Sequence, residues 1–296
     1  GHRRRAGIVD TGSSTPMILF LAAILSAAGS DLLVNTADVA SLENALVVDV
    51  RPASAYETGH IPGALNLDVT SLSEKRDGVT GLLKPLDQVR DLLGKAGLDP
   101  QKRIVVYSGM EVADDLKDAA RLFWILEFIG YPKVAVLDGG YGKWTREERP
   151  IEKGPSKAAP LTLPDLAVRN SLRSNADDVV AAAKSGATIA DFRDVAQYSG
   201  EKKSGAVNKA GHIPGAINLP ADSCVDGESK ALLSWDELKS IARKSGIDDS
   251  KGVVTVCNTG RSASTGYLVL RLLGHENVSL YDGSMSDWTA SGEREV

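Results

Sequence analysis

The chain has 296 residues, 43% of them apolar and 25% charged, with a formal net charge of -5. That size leaves room for two domains, and an acidic balance with no basic stretch beyond Arg3, Arg4 and Arg5 argues against nucleic acid as a partner. Two cysteines and four scattered histidines exclude a disulfide framework and a multi-cysteine metal site, so neither metal nor cofactor is expected.

At the N-terminus, Arg3 to Arg5 precede the apolar run Met17 to Leu25 and the small residues Ser26 to Ser30. This pattern predicts an export signal over residues 1–30 and a periplasmic mature protein. The run is too short for a stable membrane span. The opening Gly1-His2 leaves a second reading, a tag-derived segment on a cytoplasmic protein.

Next come a strand over Leu46 to Val50, a helix over Leu86 to Ala96, a strand over Ile104 to Tyr107, a helix over Ala120 to Ile129 and a strand over Val134 to Leu137. Gly130 stops the second helix. Arg146 to Pro164 is charged and proline-rich and reads as an extended linker. Beyond it the pattern recurs. Gly59-His60-Ile61-Pro62-Gly63-Ala64 returns unchanged as Gly211 to Ala216, and Asp49-Val50-Arg51 as Asp191-Phe192-Arg193. The strand before Ser108 matches the strand before Cys257, and Asp138 to Trp144 matches Asp282 to Trp288.

The expected organisation is therefore a domain over 31–148, a linker over 149–170 and a second domain over 171–296. Alternating strands and helices predict an α/β fold, each domain a mainly parallel sheet flanked by helices. The second copy carries an extra Lys, Ser and Gly-rich surface loop, Glu201 to Ala210.

Cys257 is the chemical centre of this pattern. It stands past the end of a buried strand, where open parallel sheets bind ligands, and it opens the polar turn Asn258-Thr259-Gly260-Arg261-Ser262-Ala263 before a helix. Backbone N–H groups of that turn and the positive end of the helix dipole favour a thiolate. Arg261, facing the loop, would strengthen that effect and dock an anion. Cys224 lacks such a loop and reads as structural. His60, His212, Trp144 and Trp288 occur in both halves, including the half without a cysteine, and read as structural too. The segment Ser108 to Ala119 is longer than its counterpart and acidic, which would repel an anion; the first domain is read as a wall of the cleft.

The paired Asp-x-Arg and Gly-His-Ile-Pro-Gly-Ala motifs, with one cysteine loop after a valine strand, resemble the tandem rhodanese family, which includes thiosulfate and 3-mercaptopyruvate sulfurtransferases. The resemblance covers nearly the whole chain after Asp31. It implies two rhodanese-like domains, the first without a catalytic cysteine, and a persulfide on Cys257 that moves sulfur from a small anionic donor to a thiophilic acceptor, proteins included. It implies that Asp191 and Arg193 brace the Cys257 loop, although a local salt bridge explains the pair equally well. Where relatives often place a donor-holding arginine, four residues after Arg193, this chain has Gln197. Arg261 then favours thiosulfate over 3-mercaptopyruvate. A persulfide carrier or scaffold is a further reading. A cysteine phosphatase or arsenate reductase would need arginine six residues after Cys257, where Ala263 stands.

Overall fold

The computed structural model describes residues 31–248 and 250–296; the segment read as an export signal lies outside them. The first half runs β1 (Leu33–Val34), β2 (Ala45–Asp49), α1 (Ala53–Thr58), β3 (Leu65–Asn66), a hairpin of β4 (Ser73–Arg76) and β5 (Val79–Leu83), α2 (Leu86–Lys95), β6 (Arg103–Tyr107), α3 (Leu116–Ile129), β7 (Val134–Leu137) and α4 (Gly140–Arg146). The second runs β8 (Arg173–Ser174), α5 (Ala176–Lys184), β9 (Thr188–Asp191), α6 (Val195–Tyr198), β10 (Ile217–Asn218), α7 (Trp235–Lys244), β11 (Val253–Val256), α8 (Arg261–Leu272), β12 (Val278–Tyr281) and α9 (Ser284–Trp288).

Each half holds one five-stranded sheet, β1-β7-β6-β2-β3 and β8-β12-β11-β9-β10, and every pairing in both is parallel. The two orders are the same order, so the sequence repeat is a repeat of topology. Parallel sheets covered by helices on both faces need apolar central strands. Ile104, Val105 and Val106 in β6, and Val253, Val254 and Val256 in β11, are accordingly buried. The antiparallel hairpin β4-β5 belongs to the first half alone among the described strands.

The helix expected from Ala120 starts earlier, at Leu116, and the helix after the Cys257 turn starts within that turn, at Arg261. Polar first turns are compatible with helix because their N–H groups have no intrahelical acceptor in any case. Before α3, the Asp115 carboxylate accepts the backbone N–H groups of Glu111 (2.9 Å) and Val112 (3.2 Å), folding the acidic loop inward. α3 and α8 then pack against each other across the domain boundary. Phe123 meets Tyr267 with ring centroids 6.3 Å apart, and the Tyr267 hydroxyl donates to Glu127 at 2.7 Å. One apolar core runs through both halves.

The proline-rich linker is extended, but it is strapped to the first domain rather than free. Glu152 and His60 exchange backbone hydrogen bonds at 2.9 Å, Leu161 N–H bonds Gly94 O at 2.9 Å, and Arg169 N–H bonds Phe128 O at 2.7 Å. Among the described residues, no helix is long and apolar enough to cross a membrane.

Candidate active site

Cys257 directly follows β11, at the carboxyl end of the second sheet, and α8 begins at Arg261. Between them Gly260 takes a left-handed φ of 79° as the helix N-cap. A Cβ there would fall 2.6 Å from the Asp282 carbonyl oxygen, so the turn requires glycine for both space and conformation. The N–H groups of Arg261, Ser262 and Ala263 open the helix without intrahelical acceptors and make its positive end.

The loop is held from the β12–α9 corner. Cys257 O accepts Met285 N–H, and Asn258 O accepts Ser286 N–H, both at 2.9 Å. The Cys257 N–H donates to Ser284 Oγ at 3.1 Å, and that hydroxyl lies 4.0 Å from Sγ and donates to Tyr281 O at 2.7 Å. Ser284 sits at φ 49°, where the first domain has Gly140 at φ 48°. A side chain in that region costs about 1–2 kcal/mol, so serine stands here against backbone preference. Setting Asp138-Gly139-Gly140 beside Asp282-Gly283-Ser284 would have exposed this residue in the sequence. The first domain repeats the same corner with Tyr141 N–H on Ser108 O and Gly142 N–H on Gly109 O. Ser108 is therefore the structural equivalent of Cys257; its buried hydroxyl has no partner among the described residues.

A cavity of about 400 Å³ opens beside the loop, lined by Phe192, Arg193, Asp194, Gln197, Asp222, Asn258 and Ser262, and by Asp114 and Lys117 of the first domain. Cys257 itself is only 2% exposed. A larger cavity, about 660 Å³, lined by Phe128, Arg173, Tyr281 and Asp287, holds no residue of the Cys257 loop and no nucleophilic thiol.

Each residue singled out from the sequence has a definite place. Gln197 Oε1 accepts from Asn258 Nδ2 at 2.5 Å, so Gln197 steadies the loop. Thr259 lies under the first-domain hairpin: a Cβ on Gly81 would come within 2.7 Å of its Cβ and carbonyl oxygen. Ser262 lines the cavity and Ala263 is buried. Arg193 lines the cavity, but its guanidinium bonds both Asp191 oxygens, at 2.5 to 3.0 Å, and Gly211 O at 2.9 Å. The same network joins Asp49, Arg51 and Gly59 in the first domain. The Asp-x-Arg pair is thus a local tie between a strand end and the Gly-His turn rather than a brace on the Cys257 loop.

Arg261 does not turn into the loop. Its guanidinium pairs with Asp118 of α3, because packing α3 on α8 brings that carboxylate to the start of α8. The acidic segment is correspondingly less repulsive than its composition indicates: Asp118 pairs with Arg261, Asp114 with Lys117, and Asp115 accepts its own loop's N–H groups. Lys117, unnoticed in the sequence, is the first domain's cation in the cavity. Burial, and then the nearby Arg261 charge, hold its pKa below the ordinary lysine value; its charge also interacts with Cys257.

Burial pushes the Cys224 thiol up to about 12, so it remains protonated and unreactive near neutrality. His60 and His212 stack on Tyr56 and Tyr198, with centroids 3.7 and 3.9 Å apart, and their Nδ1 atoms meet the tyrosine carbonyls. Trp144 and Trp288 are 5% exposed. These residues are structural. The insertion 201–210 forms a loop tied to the chain end, with Lys209 Nζ on Gly292 O and Arg294 O.

A family model described as the rhodanese-like domain matches residues 35–147 and 175–291. The thiosulfate sulfurtransferase of Azotobacter vinelandii is 32% identical over 247 residues, covering 82% of this chain and 87% of that protein. The 3-mercaptopyruvate sulfurtransferase of Escherichia coli K12 is 30% identical over 255 residues, covering 84% and 86%. The crystal structure of SseA from Escherichia coli, described with the rhodanese fold, superposes with a TM-score of 0.73 at 29% identity over 86% of this chain and 98% of that one. An anaerobic ergothioneine biosynthesis enzyme from Chlorobium limicola shares the fold, with a TM-score of 0.79 at 24% identity over 90% of this chain and 69% of that one. The chain belongs to the rhodanese family and is a sulfurtransferase built from two rhodanese-like domains.

Proposed function

We propose that Cys257 is the nucleophile of a ping-pong sulfur transfer with thiosulfate as donor. The thiolate attacks the outer sulfur, the S–S bond of thiosulfate breaks, sulfite leaves with the electron pair, and a persulfide remains on Cys257. An acceptor such as cyanide, a small thiol or a protein thiolate then takes the outer sulfur and returns the thiolate. The start of α8 stabilises each anionic state in turn, and no cofactor enters. The observation that carries this reading is the placement of Cys257 at the carboxyl end of β11, at the start of α8 and beside a cavity shared by both domains.

A second donor, 3-mercaptopyruvate, is favoured by a different observation. Asp114, Asp194 and Asp222 line the cavity, and Arg261 is paired with Asp118, so a single carboxylate meets less repulsion there than a dianion. A phosphatase has no support, since Ala263 and the paired Arg261 leave no clamp for a tetrahedral oxyanion. Thiocyanate formation from cyanide, measured with each donor in the native chain and in Cys257→Ala, tests the proposal. Turnover that persists in the variant rejects it. Persulfide formation without turnover would instead indicate a carrier. We propose in addition that residues 1–30 direct export to the periplasm, on the order of arginines, apolar run and small residues; cell fractionation tests this.

A further inference from the structure

The cations near the Cys257 loop differ in how fully their charge is matched. Arg193 is buried and doubly bonded to Asp191. Arg121 is buried against Asp282. Arg261 pairs with Asp118 from the other domain. Lys117 lines the cavity from the first turn of α3, and its partner is Asp114, which lines the same cavity and is twice as exposed, 47% against 23%. A half-exposed carboxylate is a weak, exchangeable partner. A partly desolvated ammonium gains from a second anion that enters with it and shuts out water.

We propose that Lys117 is a specificity-determining residue, which takes the anionic end of the sulfur donor, sulfonate or carboxylate, while Asp114 competes with the donor for the same ammonium. The half without the cysteine thus supplies the group that reads the substrate. Burial and the Arg261 charge disfavour the Lys117 ammonium, and the charge of a bound anion offsets both. The proposal rests on the reading of Cys257 as nucleophile and deepens it.

Alkylation of Cys257, after cyanide has cleared any persulfide, tests the proposal without turnover. Iodoacetate carries a carboxylate and iodoacetamide does not, so their rate ratio reports attraction of an anion and cancels changes in thiol reactivity. Lys117→Gln is expected to lower the ratio about tenfold and to raise the donor KM similarly with little change in kcat. Lys117→Arg is expected to keep the ratio, and Asp114→Asn to raise it. A ratio unchanged in Lys117→Gln, or lowered in Asp114→Asn, overturns the proposal. If the native chain transfers no sulfur while the ratio still responds to Lys117, the anion site stands and the donor reading fails.

Discussion

Arg121 of α3 and Asp282 at the end of β12 form an ion pair at 2.5 Å in which both side chains are 1% exposed. The pair joins the domain without the cysteine to the loop that carries it. Arg121 also reaches Gly81 O at 3.2 Å and Gly260 O at 3.5 Å, while Asp282 accepts from Arg173 at 2.9 Å and from Leu83 N–H at 3.0 Å. Hairpin, interdomain helix and Cys257 loop therefore converge on one buried charge pair.

Breaking such a pair from one side strands a buried charge, which costs about 3–5 kcal/mol. Asp282→Asn strands the buried Arg121 guanidinium and is expected to lose stability in that range and to lose sulfur transfer as Gly260 loosens. Arg121→Met leaves Asp282 paired with Arg173 and is expected to cost less. Chemical denaturation and turnover of Arg121→Met, Asp282→Asn and the double variant check this. The double variant should lose less than the sum of the singles. Additive losses would mean that the two residues act independently.

The hairpin should also be felt in catalysis. Gly81 has φ 86° and its added Cβ would collide with Thr259, whereas Gly78 has φ 85° and open space around it. Alanine at either position pays a similar backbone cost, about 1 kcal/mol. Only Gly81→Ala is expected to lower kcat, because only there does a side chain push the loop. Equal kcat in the two variants would show that the hairpin does not position Thr259.

Ser284 should separate stability from activity. Ser284→Gly relieves the left-handed backbone and removes the hydroxyl that holds the Cys257 N–H. Opposed effects of about 1 kcal/mol each leave the melting temperature nearly unchanged, while turnover is expected to fall. Full activity in Ser284→Gly would leave the hydroxyl without a role.

Cys224 predicts an alkaline signature. The folded protein holds its thiol proton until about 12, whereas an unfolded cysteine releases it near 8.5. The folded state binds more protons across that window, so stability falls as pH rises through it, and Cys224→Ala should flatten this limb. At pH 8 iodoacetamide should label Cys257 alone. Labelling of Cys224 in the folded chain at that pH would contradict its burial.

Much of the architecture was legible because it is written twice. Gly59 to Ala64 and Gly211 to Ala216, with the matched valine strands before Ser108 and Cys257, report the repeat through local pattern alone. What escaped depends on packing between the halves. Asp118 and Arg261 are far apart in sequence and meet only because α3 lies on α8, so the neutralisation of the Arg261 charge has no local sequence signal. Lys117 was hidden among acidic neighbours, and its approach to the cavity follows from the helix starting at Leu116. Gly81 belongs to a hairpin that the second half shortens to one antiparallel bridge, Val225 with Leu232, so Gly81 itself has no matching strand residue there among the described residues.

The central claim is that Cys257 carries the sulfur between donor and acceptor. Mass spectrometry of the native chain after thiosulfate or 3-mercaptopyruvate should find one added sulfur atom on the peptide containing Cys257, removed again by cyanide with release of thiocyanate. Thiocyanate formed at the native rate by Cys257→Ala, with no sulfur added to that peptide in the native chain, would contradict it.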